Sequence, residues 1–363
     1  MKNKLNTFLL LICIALLGYT NANSQGITTP RTPSPAAEVS QTIGISRVTI
    51  NYSRPSVRGR VIWGRLVPYG WNVQGFGTGN SAPWRAGANE NTTLTLSHEA
   101  KICGTTVPAG TYGLFFVINE DNSGEVILSK DHRSWGSFFY DPKQDQMRAK
   151  IQTREISLTE LLTYDFINMN KNSAELVLNW EKKQFVVPIE FDVDGIVMDN
   201  AAQELKSTVG FNWQGWSSAA NYAWQNKVNL EQAVSWIDQA ITQNKNFNTL
   251  SIKAGILRTM GKEAEAEKIM TEALPNATET ELNAYGYQLL NASKNKEAIK
   301  IMQLNTEKHP ESANAWDSLG EAYALIDDKA NAIKSFKKSL SLNPAPNVKA
   351  NSEKYLKQLN AMK

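Results

Sequence analysis

AWDSLGEAYALIDDKANAIKSFKKSLSLNP, residues 315–344, contains two amphipathic segments joined by a short polar turn. The residues that carry its pattern are Trp316, Leu319, Gly320, Tyr323, Ala332, Phe336 and Pro344. Their spacing has the period of a helix rather than that of a strand. Gly320 and Ala332 are small, which suits the line where two helices touch, and Pro344 cannot continue a helix. The stretch therefore predicts a helical hairpin.

The same pattern occurs 34 residues upstream, so the hairpin is repeated. The matching residues there are Leu282, Tyr285, Gly286, Leu289, Ala298, Met302 and Pro310. Two weaker copies precede it, with Ala266, Met270 and Ala273 in one and Trp224, Ala233, Ile237 and Ala240 in the other. The spacing W-x2-L-G-x2-Y, then A-x3-F, then P, resembles the tetratricopeptide repeat. This resemblance implies four repeats over about 214–346 that stack into an all-α solenoid and present a concave face to a protein or peptide.

A last apolar stripe follows the repeats and predicts a capping helix over 347–363. Its members are Val348, Ser352, Tyr355, Leu356, Leu359 and Met362. At the other end of the array, aromatic residues crowd the first repeat, namely Trp213, Trp216, Tyr222, Trp224 and Trp236. We interpret these aromatics as core, with docking of the solenoid onto the preceding domain as the alternative.

The amino-terminal half follows a period of two, which predicts half-buried strands. Val48, Ile50 and Tyr52 alternate with polar residues, as do Leu94 and Leu96. Further strand-like runs lie at 112–118, 125–129, 163–168, 174–180 and 185–191. This spacing predicts an antiparallel all-β domain of sandwich or barrel-like type over 38–195, followed by a linker over 196–213.

Four segments of this half resemble the bacterial family called domain of unknown function 2911. They are YSRPSVRGR, VPYG, WRAGANENTTLTL and PAGTYGLFF, and the resemblance covers roughly residues 35–195. The family implies frequent secretion and occasional fusion to tetratricopeptide repeats, but it brings no known reaction. The insertion WNVQGFGTGNSAP separates VPYG from the third segment here.

The first residues predict export. MKNKLNTFLLLICIALLGYTNANSQ has the charge, apolar run and small-residue ending of a signal peptide over 1–24, followed by a linker over 25–37. We therefore expect a periplasmic or secreted protein. The formal charge falls from +3 to about +1 because Lys2 and Lys4 leave with the signal, which gives no case for nucleic-acid binding. Only Cys103 remains afterwards, so no internal disulfide is expected.

Arginines cluster in a region without acids. No Asp or Glu occurs from 39 to 89. The residues that we predict to bind a ligand are Arg54, Arg58, Arg60, Arg65, Tyr69, Trp84, Arg85, Asn89 and Glu90. Arginine forks match carboxylate, phosphate or sulfate, and the neighbouring aromatic rings suit a flat or sugar-like ligand. The alternative is that each arginine pairs with an acid of the same domain, such as Glu90, Asp131, Asp141, Asp145 or Asp165.

The sequence contains no catalytic motif, and we favour a non-enzymatic binding scaffold for an envelope protein or peptide. The alternative is a hydrolase-like enzyme in which Arg54, Arg58, Arg85 and Glu90 orient an anionic substrate. A weaker acid–base set is Asp131, His132, Arg133 and Asp141. Gly75, Gly77 and Gly79 form an incomplete dinucleotide fingerprint that we interpret as a flexible loop. No cofactor or metal is expected.

Overall fold

The computed structural model describes residues 33–359. The predicted signal peptide, most of the linker over 25–37, and Met362 lie outside the described residues. The chain divides into two compact units, one ending at Val193 and one beginning at Asp194. We call them the β domain and the helical domain. The predicted class, an antiparallel all-β domain followed by helical hairpins, is confirmed.

The β domain is built from short strands and one long hairpin. The strands are β1 (Ala36–Ile43), β2 (Ser46–Ser53), β3 (Asn72–Val73), β4 (Ser81–Ala82), β5 (Thr93–Leu96), β6 (Ala100–Ile102), β7 (Thr105–Val107), β8 (Gly110–Ile118), β9 (Ser123–Ser129), β10 (Asp145–Ile167) and β11 (Ser173–Glu190). The larger sheet has the order β1-β2-β5-β8-β9-β10-β11-β6-β7, and its neighbouring strands are antiparallel. The expected alternation holds in β2, where Val48 and Ile50 are fully buried.

The large sheet folds over on itself. Phe116 of β8 contacts Phe185 of β11 with ring centroids 5.0 Å apart, although two strands separate them in the sheet. Tyr52 of β2 similarly meets Tyr164 of β10 at 4.8 Å. The inner faces therefore enclose one apolar core, which is how an antiparallel sheet hides one side from water.

The hairpin β10–β11 differs from the prediction of separate strands at 163–168, 174–180 and 185–191. β10 runs for 23 residues and pairs first with β9 and then with β11. Its register shifts near Thr159, and Glu181 of β11 adopts φ +53°. Such bulges bend a strand without ending it, so the hairpin continues where the hydrophobic pattern suggested breaks.

The segment predicted to be a glycine loop joins the two short strands of the small hairpin β3–β4. Trp71 and Ala82 at its base cover Phe115 on the outer side of β8. Gly77 has φ +78°, and a Cβ there would lie 2.0 Å from the carbonyl oxygen of Phe138. Glycine is therefore required at this close approach. Gly75, Gly77 and Gly79 lie in the loop between β3 and β4, as the sequence predicted, and the flexibility of this loop stays a prediction.

The helical domain is a series of antiparallel helices. They are α1 (Val193–Glu204), α2 (Trp213–Asn226), α3 (Leu230–Gln243), α4 (Phe247–Thr259), α5 (Glu263–Ala273), α6 (Glu279–Asn291), α7 (Asn295–Lys308), α8 (Ala313–Leu325), α9 (Lys329–Ser341) and α10 (Pro346–Gln358). The pairs α2–α3, α4–α5, α6–α7 and α8–α9 form hairpins. None of the helices among residues 33–359 is long and apolar enough to cross a membrane.

Glycines mark the closest contacts within these hairpins. A Cβ on Gly320 would lie 2.7 Å from the Phe336 ring, and one on Gly286 would lie 2.8 Å from Met302. Both pairs join the two helices of one hairpin, so Phe336 packs inside its own hairpin rather than only between hairpins. Phe336 also stacks on Tyr355 of α10 at 5.0 Å.

The segment 196–213, expected to be a linker, contains most of α1 and a short 3₁₀ turn at Thr208–Phe211. Met198 and Leu205 are buried and join the apolar cluster of the first hairpin. This burial explains the helix, because the segment has an apolar surface to cover despite a weak amphipathic pattern.

Candidate functional site

Two loops of the β domain form a cleft of about 350 Å³. One loop follows β2 and carries Arg58 and Arg60, and the other precedes β5 and carries Trp84, Arg85 and Asn89. The buried ring of Trp180 completes the lining. The cleft thus combines three guanidinium groups with indole rings.

The indole wall is an ordered stack. Trp84 lies nearly parallel to Trp180, with 5.8 Å between centroids and 17° between planes. Trp63 meets Trp84 edge-on at 5.8 Å and donates its Nε1–H to Glu181 at 3.2 Å. The Nε1 of Trp180 is buried and has no hydrogen-bond partner within residues 33–359. A buried unpaired donor is uncommon and marks a site of strain or of an absent partner.

The loop after β2 exposes Arg58. Arg58 has φ +50°, and its backbone N–H donates to Glu160 Oε1 at 2.9 Å. Val57 and Leu162 tie the same loop to the middle of β10 through backbone hydrogen bonds. The Arg60 guanidinium instead closes its own turn by donating to the carbonyls of Val57 and Ser56. Of these two arginines, Arg58 is therefore the one whose guanidinium makes no hydrogen bond within residues 33–359.

The loop before β5 is held in an unusual backbone conformation. Ala86 and Asn89 have φ values of +54° and +62°. The Ala86 carbonyl accepts hydrogen bonds from Tyr164 Oη at 2.9 Å and Thr92 Oγ1 at 3.1 Å. Positive φ in residues other than glycine concentrates at binding and catalytic sites, and Arg58 shares this feature on the facing loop.

Arg85 is half-buried at the edge of the cleft. Its Nη1 donates to the Asn89 carbonyl at 2.8 Å, and its guanidinium carbon lies 5.2 Å from the Phe138 ring centroid. Burial lowers the pKa of Arg85 from its ordinary value, although a guanidinium stays charged at neutral pH. No ion pair joins Arg58, Arg60 or Arg85 to a carboxylate in the described part of the chain.

The helical domain has a groove of about 630 Å³ between α2, α4 and α6. Its polar lining includes four amide side chains, those of Asn221, Gln225, Asn248 and Gln288. Trp224, Phe247 and Tyr285 supply its aromatic lining. None of the four amides makes a side-chain hydrogen bond to any residue between 33 and 359. The groove therefore presents unused donors and acceptors beside rings.

A second depression of about 330 Å³ continues this groove and shares Trp224, Tyr285 and Gln288 with it. Its charged residues are already paired. Arg258 donates to Glu263 Oε1 at 3.0 Å and to Tyr285 Oη at 2.9 Å. Lys294 lies 3.8 Å from the same Glu263 oxygen. The groove itself adds one carboxylate, Glu281, whose side chain accepts hydrogen bonds from Thr278. The two parts together therefore contain two acids and two bases, and their formal charges cancel.

Comparison with known protein families matches most of the β domain and one repeat of the helical domain. Residues 34–189 match the family described as "Protein of unknown function (DUF2911)". Residues 313–346 match the tetratricopeptide repeat. Both resemblances inferred from the sequence are confirmed. The two loops of the cleft are the DUF2911 segments YSRPSVRGR and WRAGANE, which the fold brings face to face.

Solved structures similar to this chain are tetratricopeptide proteins, but at low identity. YrrB, titled "a TPR protein with an unusual peptide-binding site", is 16% identical with a TM-score of 0.28 and covers 45% of this chain and 89% of its own. Pseudomonas aeruginosa pilF is 21% identical with a TM-score of 0.29, covering 42% of this chain and 71% of its own. MamA is 15% identical with a TM-score of 0.29, and the match covers 40% of this chain and 86% of MamA. These sequence identities and TM-scores are too low to assign a function to this chain. No curated protein matches the chain.

The cleft of the β domain contains Arg58, Arg60, Trp84, Arg85 and Asn89 of the predicted site residues. The other four, Arg54, Arg65, Tyr69 and Glu90, are not among its lining residues. Arg54 instead turns toward β10 and donates to the Leu162 carbonyl at 2.9 Å and to Thr163 Oγ1 at 2.7 Å. Tyr69 packs over Gly64, where a Cβ would lie 2.7 Å from its ring.

These placements change both alternatives that the sequence left open. Pairing of Arg54, Arg58, Arg60 or Arg85 with Asp131, Asp141, Asp145 or Asp165 is not observed within residues 33–359. Asp145 pairs with Arg148 instead. The enzyme hypothesis required Arg54, Arg58, Arg85 and Glu90 in one pocket, and the structure brings only Arg58 and Arg85 to the cleft.

Three members of the weaker acid–base set make local contacts within their own turns. Asp141 caps a 3₁₀ turn by accepting from the Lys143 N–H at 3.0 Å, while Asp131 accepts from Ser134. His132 Nδ1 lies 3.2 Å from the Lys130 carbonyl oxygen. Burial raises the pKa of the Cys103 thiol to about 11, so this thiol is protonated at neutral pH.

Sequence reasoning missed the amides of the helical groove. In the two weaker repeats, the sequence pattern identifies only the buried residues. It therefore did not indicate which residues of the opposite helix face would line a groove. A usable signal was the recurrence of Asn and Gln on the first helix of successive hairpins, at Asn221, Asn248 and Gln288. Trp224, interpreted as core, is partly buried against the apolar cluster of the first hairpin and also lines both parts of the groove.

Proposed function

We propose that the protein is a scaffold whose helical groove binds an extended peptide segment of a partner protein. Tetratricopeptide repeats are themselves typical of protein-binding scaffolds. The single observation that carries the finer proposal is the set of four amides that face one groove and make no side-chain hydrogen bond within residues 33–359. An amide side chain offers both a donor and an acceptor, which is the pair of groups that a peptide bond requires.

The dimensions of the groove suit an extended chain. Packed helices lie about 8–10 Å apart, and an extended peptide advances about 3.3 Å per residue. An amide on each successive helix would therefore meet the peptide backbone about every third residue. Trp224 and Tyr285 line the same groove and would contact side chains of the peptide. This arrangement recognises backbone shape and apolar side chains rather than charge.

The test is selection of binders from a random linear peptide library, followed by affinity measurement with wild type and variants. We expect Asn248→Ala combined with Gln288→Ala to weaken the selected peptides by about tenfold or more, because two hydrogen-bonding pairs are lost at about 1 kcal/mol each. Gln358→Ala, an exposed amide on α10, is the matched control and should bind normally. Equal binding by the double variant would reject the groove as the peptide site.

A second function is proposed for the β domain, which would bind an anion-bearing ligand in the arginine cleft. Support comes from three guanidinium groups that share a concave site without a carboxylate partner in residues 33–359. A titration with sulfate and citrate tests this proposal. Arg58→Ala should reduce anion affinity by about tenfold, since a charge-assisted contact contributes about 1.5–3 kcal/mol. Unchanged affinity in Arg58→Ala would contradict it.

Export to the periplasm or beyond is also part of the proposal, with residues 1–24 as its support. Cell fractionation with an antibody against the helical domain tests it directly. We expect the protein in the envelope or external fraction, and deletion of residues 1–24 should retain it in the cytoplasm. A full-length chain that stays cytoplasmic would reject export while leaving both binding proposals intact.

A further inference from the structure

An aromatic ridge stands beside the arginine cleft. We define it as Phe76, Trp135, Phe138 and Phe139. Phe76 is 65% exposed, Trp135 50% and Phe139 47%. The Phe76 ring meets Phe138 at 5.5 Å and Phe139 at 5.9 Å, in both cases edge to face. Large exposed aromatics in one place are uncommon on a protein surface that contacts only water.

The ridge is held in place by its backbone. Thr78 donates its N–H to the Phe138 carbonyl at 2.9 Å, which fixes the β3–β4 hairpin against the segment 135–139. Gly77 permits the close approach of the two chains, as described above. The rings are therefore presented by two loops that are tied to each other, so their exposure is built into the fold.

Arg85 connects the ridge to the cleft. Its guanidinium lies over Phe138 and against Gly136, where a Cβ would be 2.5 Å from Nη1. The same side chain lines the cleft with Arg58. One ligand that fills the cleft can therefore continue over Arg85 onto the rings of Phe76 and Trp135.

We propose that the cleft and the ridge form one extended site for an acidic polysaccharide, an inference that rests on the proposed anion-binding function of the cleft. The cleft would hold the carboxylate or sulfate of one sugar through Arg58 and Arg85. Neighbouring sugars of the same chain would lay their C–H faces on the ridge, because the face of an aromatic ring is electron-rich and attracts weakly positive C–H groups.

The shape and charge of the site favour this ligand over a lipid surface. The arginines lie in a cleft of about 350 Å³, near the lower end of the range of about 300–1,000 Å³ typical of small-molecule sites. Arg85 is half-buried in the cleft, where a flat membrane would not reach it, although Arg58 is exposed. The guanidinium groups of Arg58 and Arg85 line one cleft and complement a negative charge, which favours an acidic glycan over a neutral one.

Calorimetric titration of the full-length mature protein with galacturonate, tetragalacturonate, a sulfated galactose tetramer and maltotetraose tests the inference. We expect either acidic tetramer to bind about tenfold or more tightly than galacturonate, since two stacked rings contribute that much. The two acidic tetramers distinguish carboxylate from sulfate. Maltotetraose should bind at least tenfold more weakly than the better of the two acidic tetramers.

Variants separate this inference from the anion-binding function. Trp135→Ala and Phe76→Ala should abolish the higher affinity of the acidic tetramer relative to galacturonate, while the affinity for galacturonate itself stays unchanged. Arg58→Ala should weaken the binding of both ligands. Phe211→Ala, an aromatic that is 77% exposed in the helical domain, is the control and should change neither. A tetramer that binds no more tightly than the monomer would overturn the inference and leave the anion cleft standing.

Two further outcomes would also overturn it. Binding of sulfate but of no sugar acid would retain the anion site and reject a polysaccharide. Sedimentation with vesicles of phosphatidylglycerol, lost in Trp135→Ala, together with no oligosaccharide binding, would assign the ridge to a lipid surface. Failure of every anion to bind would reject the proposed function of the cleft as well.

Discussion

The cleft of the β domain and the groove of the helical domain are built in opposite ways. The cleft depends on charged side chains held by loops, at residues with positive φ such as Arg58 and Asn89. The groove depends on neutral amides presented by regular helices, where Asn248 and Gln288 have ordinary helical backbones. A loop can place each side chain in its own specific orientation, whereas stacked helices place similar side chains at regular spacings. The first suits a compact anion and the second suits a long, uniform chain.

Gly320→Val has the largest expected effect, because it disrupts the packing of the helical domain and leaves the β domain unchanged. Its Cβ would lie 2.7 Å from Phe336 Cε1, a buried ring that has no room to move. We expect the free energy of unfolding of the helical domain to fall by about 3 kcal/mol. Urea denaturation followed by circular dichroism at 222 nm measures it. Gly75→Ala, where a Cβ meets nothing within 4 Å, should leave the curve unchanged.

Arg54→Ala and Arg58→Ala test whether neighbouring arginines have separate roles. Arg54→Ala removes two hydrogen bonds to β10, so we expect the β domain to lose about 2 kcal/mol of unfolding free energy. Arg58→Ala removes no side-chain hydrogen bond and should change stability by less than about 0.5 kcal/mol. Denaturation followed by tryptophan fluorescence distinguishes them. Equal losses would show that Arg58 is structural as well.

Salt separates the two sites by their chemistry. Between about 50 and 500 mM NaCl, ligand affinity at the arginine cleft should fall by roughly tenfold, because added ions screen partly exposed charges. Peptide affinity at the neutral groove should change by less than about twofold under the same conditions. Parallel titrations of one sample provide the comparison. A steep salt dependence at the groove would contradict recognition through amides.

The smallest expected effect concerns pH and a buried carboxyl group of the helical domain. Burial raises the pKa of Asp317 above its ordinary value, and nearby Glu321 adds to the rise, while Ser352 and Asn351 donate hydrogen bonds that oppose it. The folded state therefore binds a proton more tightly than the unfolded state. This contribution is complete below the ordinary Asp pKa and is lost as pH rises through the raised pKa.

Thermal unfolding of the helical domain at several pH values from 3.5 to 7 checks this sign. We expect Asp317→Asn to flatten the decline in melting temperature that wild type shows as pH rises through the pKa of Asp317. Glu353→Gln, which alters an exposed carboxylate on α10, should retain the wild-type slope. A slope that survives in Asp317→Asn would assign the proton to another group.

Much of the fold was predictable because it depends on periodicity. The spacing of Gly320 and Ala332 predicted a close pair of helices, and the alternation of Val48 and Ile50 with polar residues predicted a half-buried strand. The continuous β10–β11 hairpin was not predictable, since a bulge near Thr159 interrupts the pattern without ending the pairing. The β3–β4 hairpin was missed because glycines that permit close packing look the same in sequence as glycines that permit motion.

The sequence by itself determined the order of the two domains, the helical repeat, the strand alternation and the grouping of arginines in a segment without acids. Only the tertiary structure decided that Arg54 binds β10 while Arg58 faces a cleft with Arg85 and Trp84. The physical reason is that periodicity specifies which face of an element is buried, whereas a loop side chain takes its direction from backbone angles and from strands distant in sequence. The groove amides follow the same rule, because their shared face exists only once the hairpins stack.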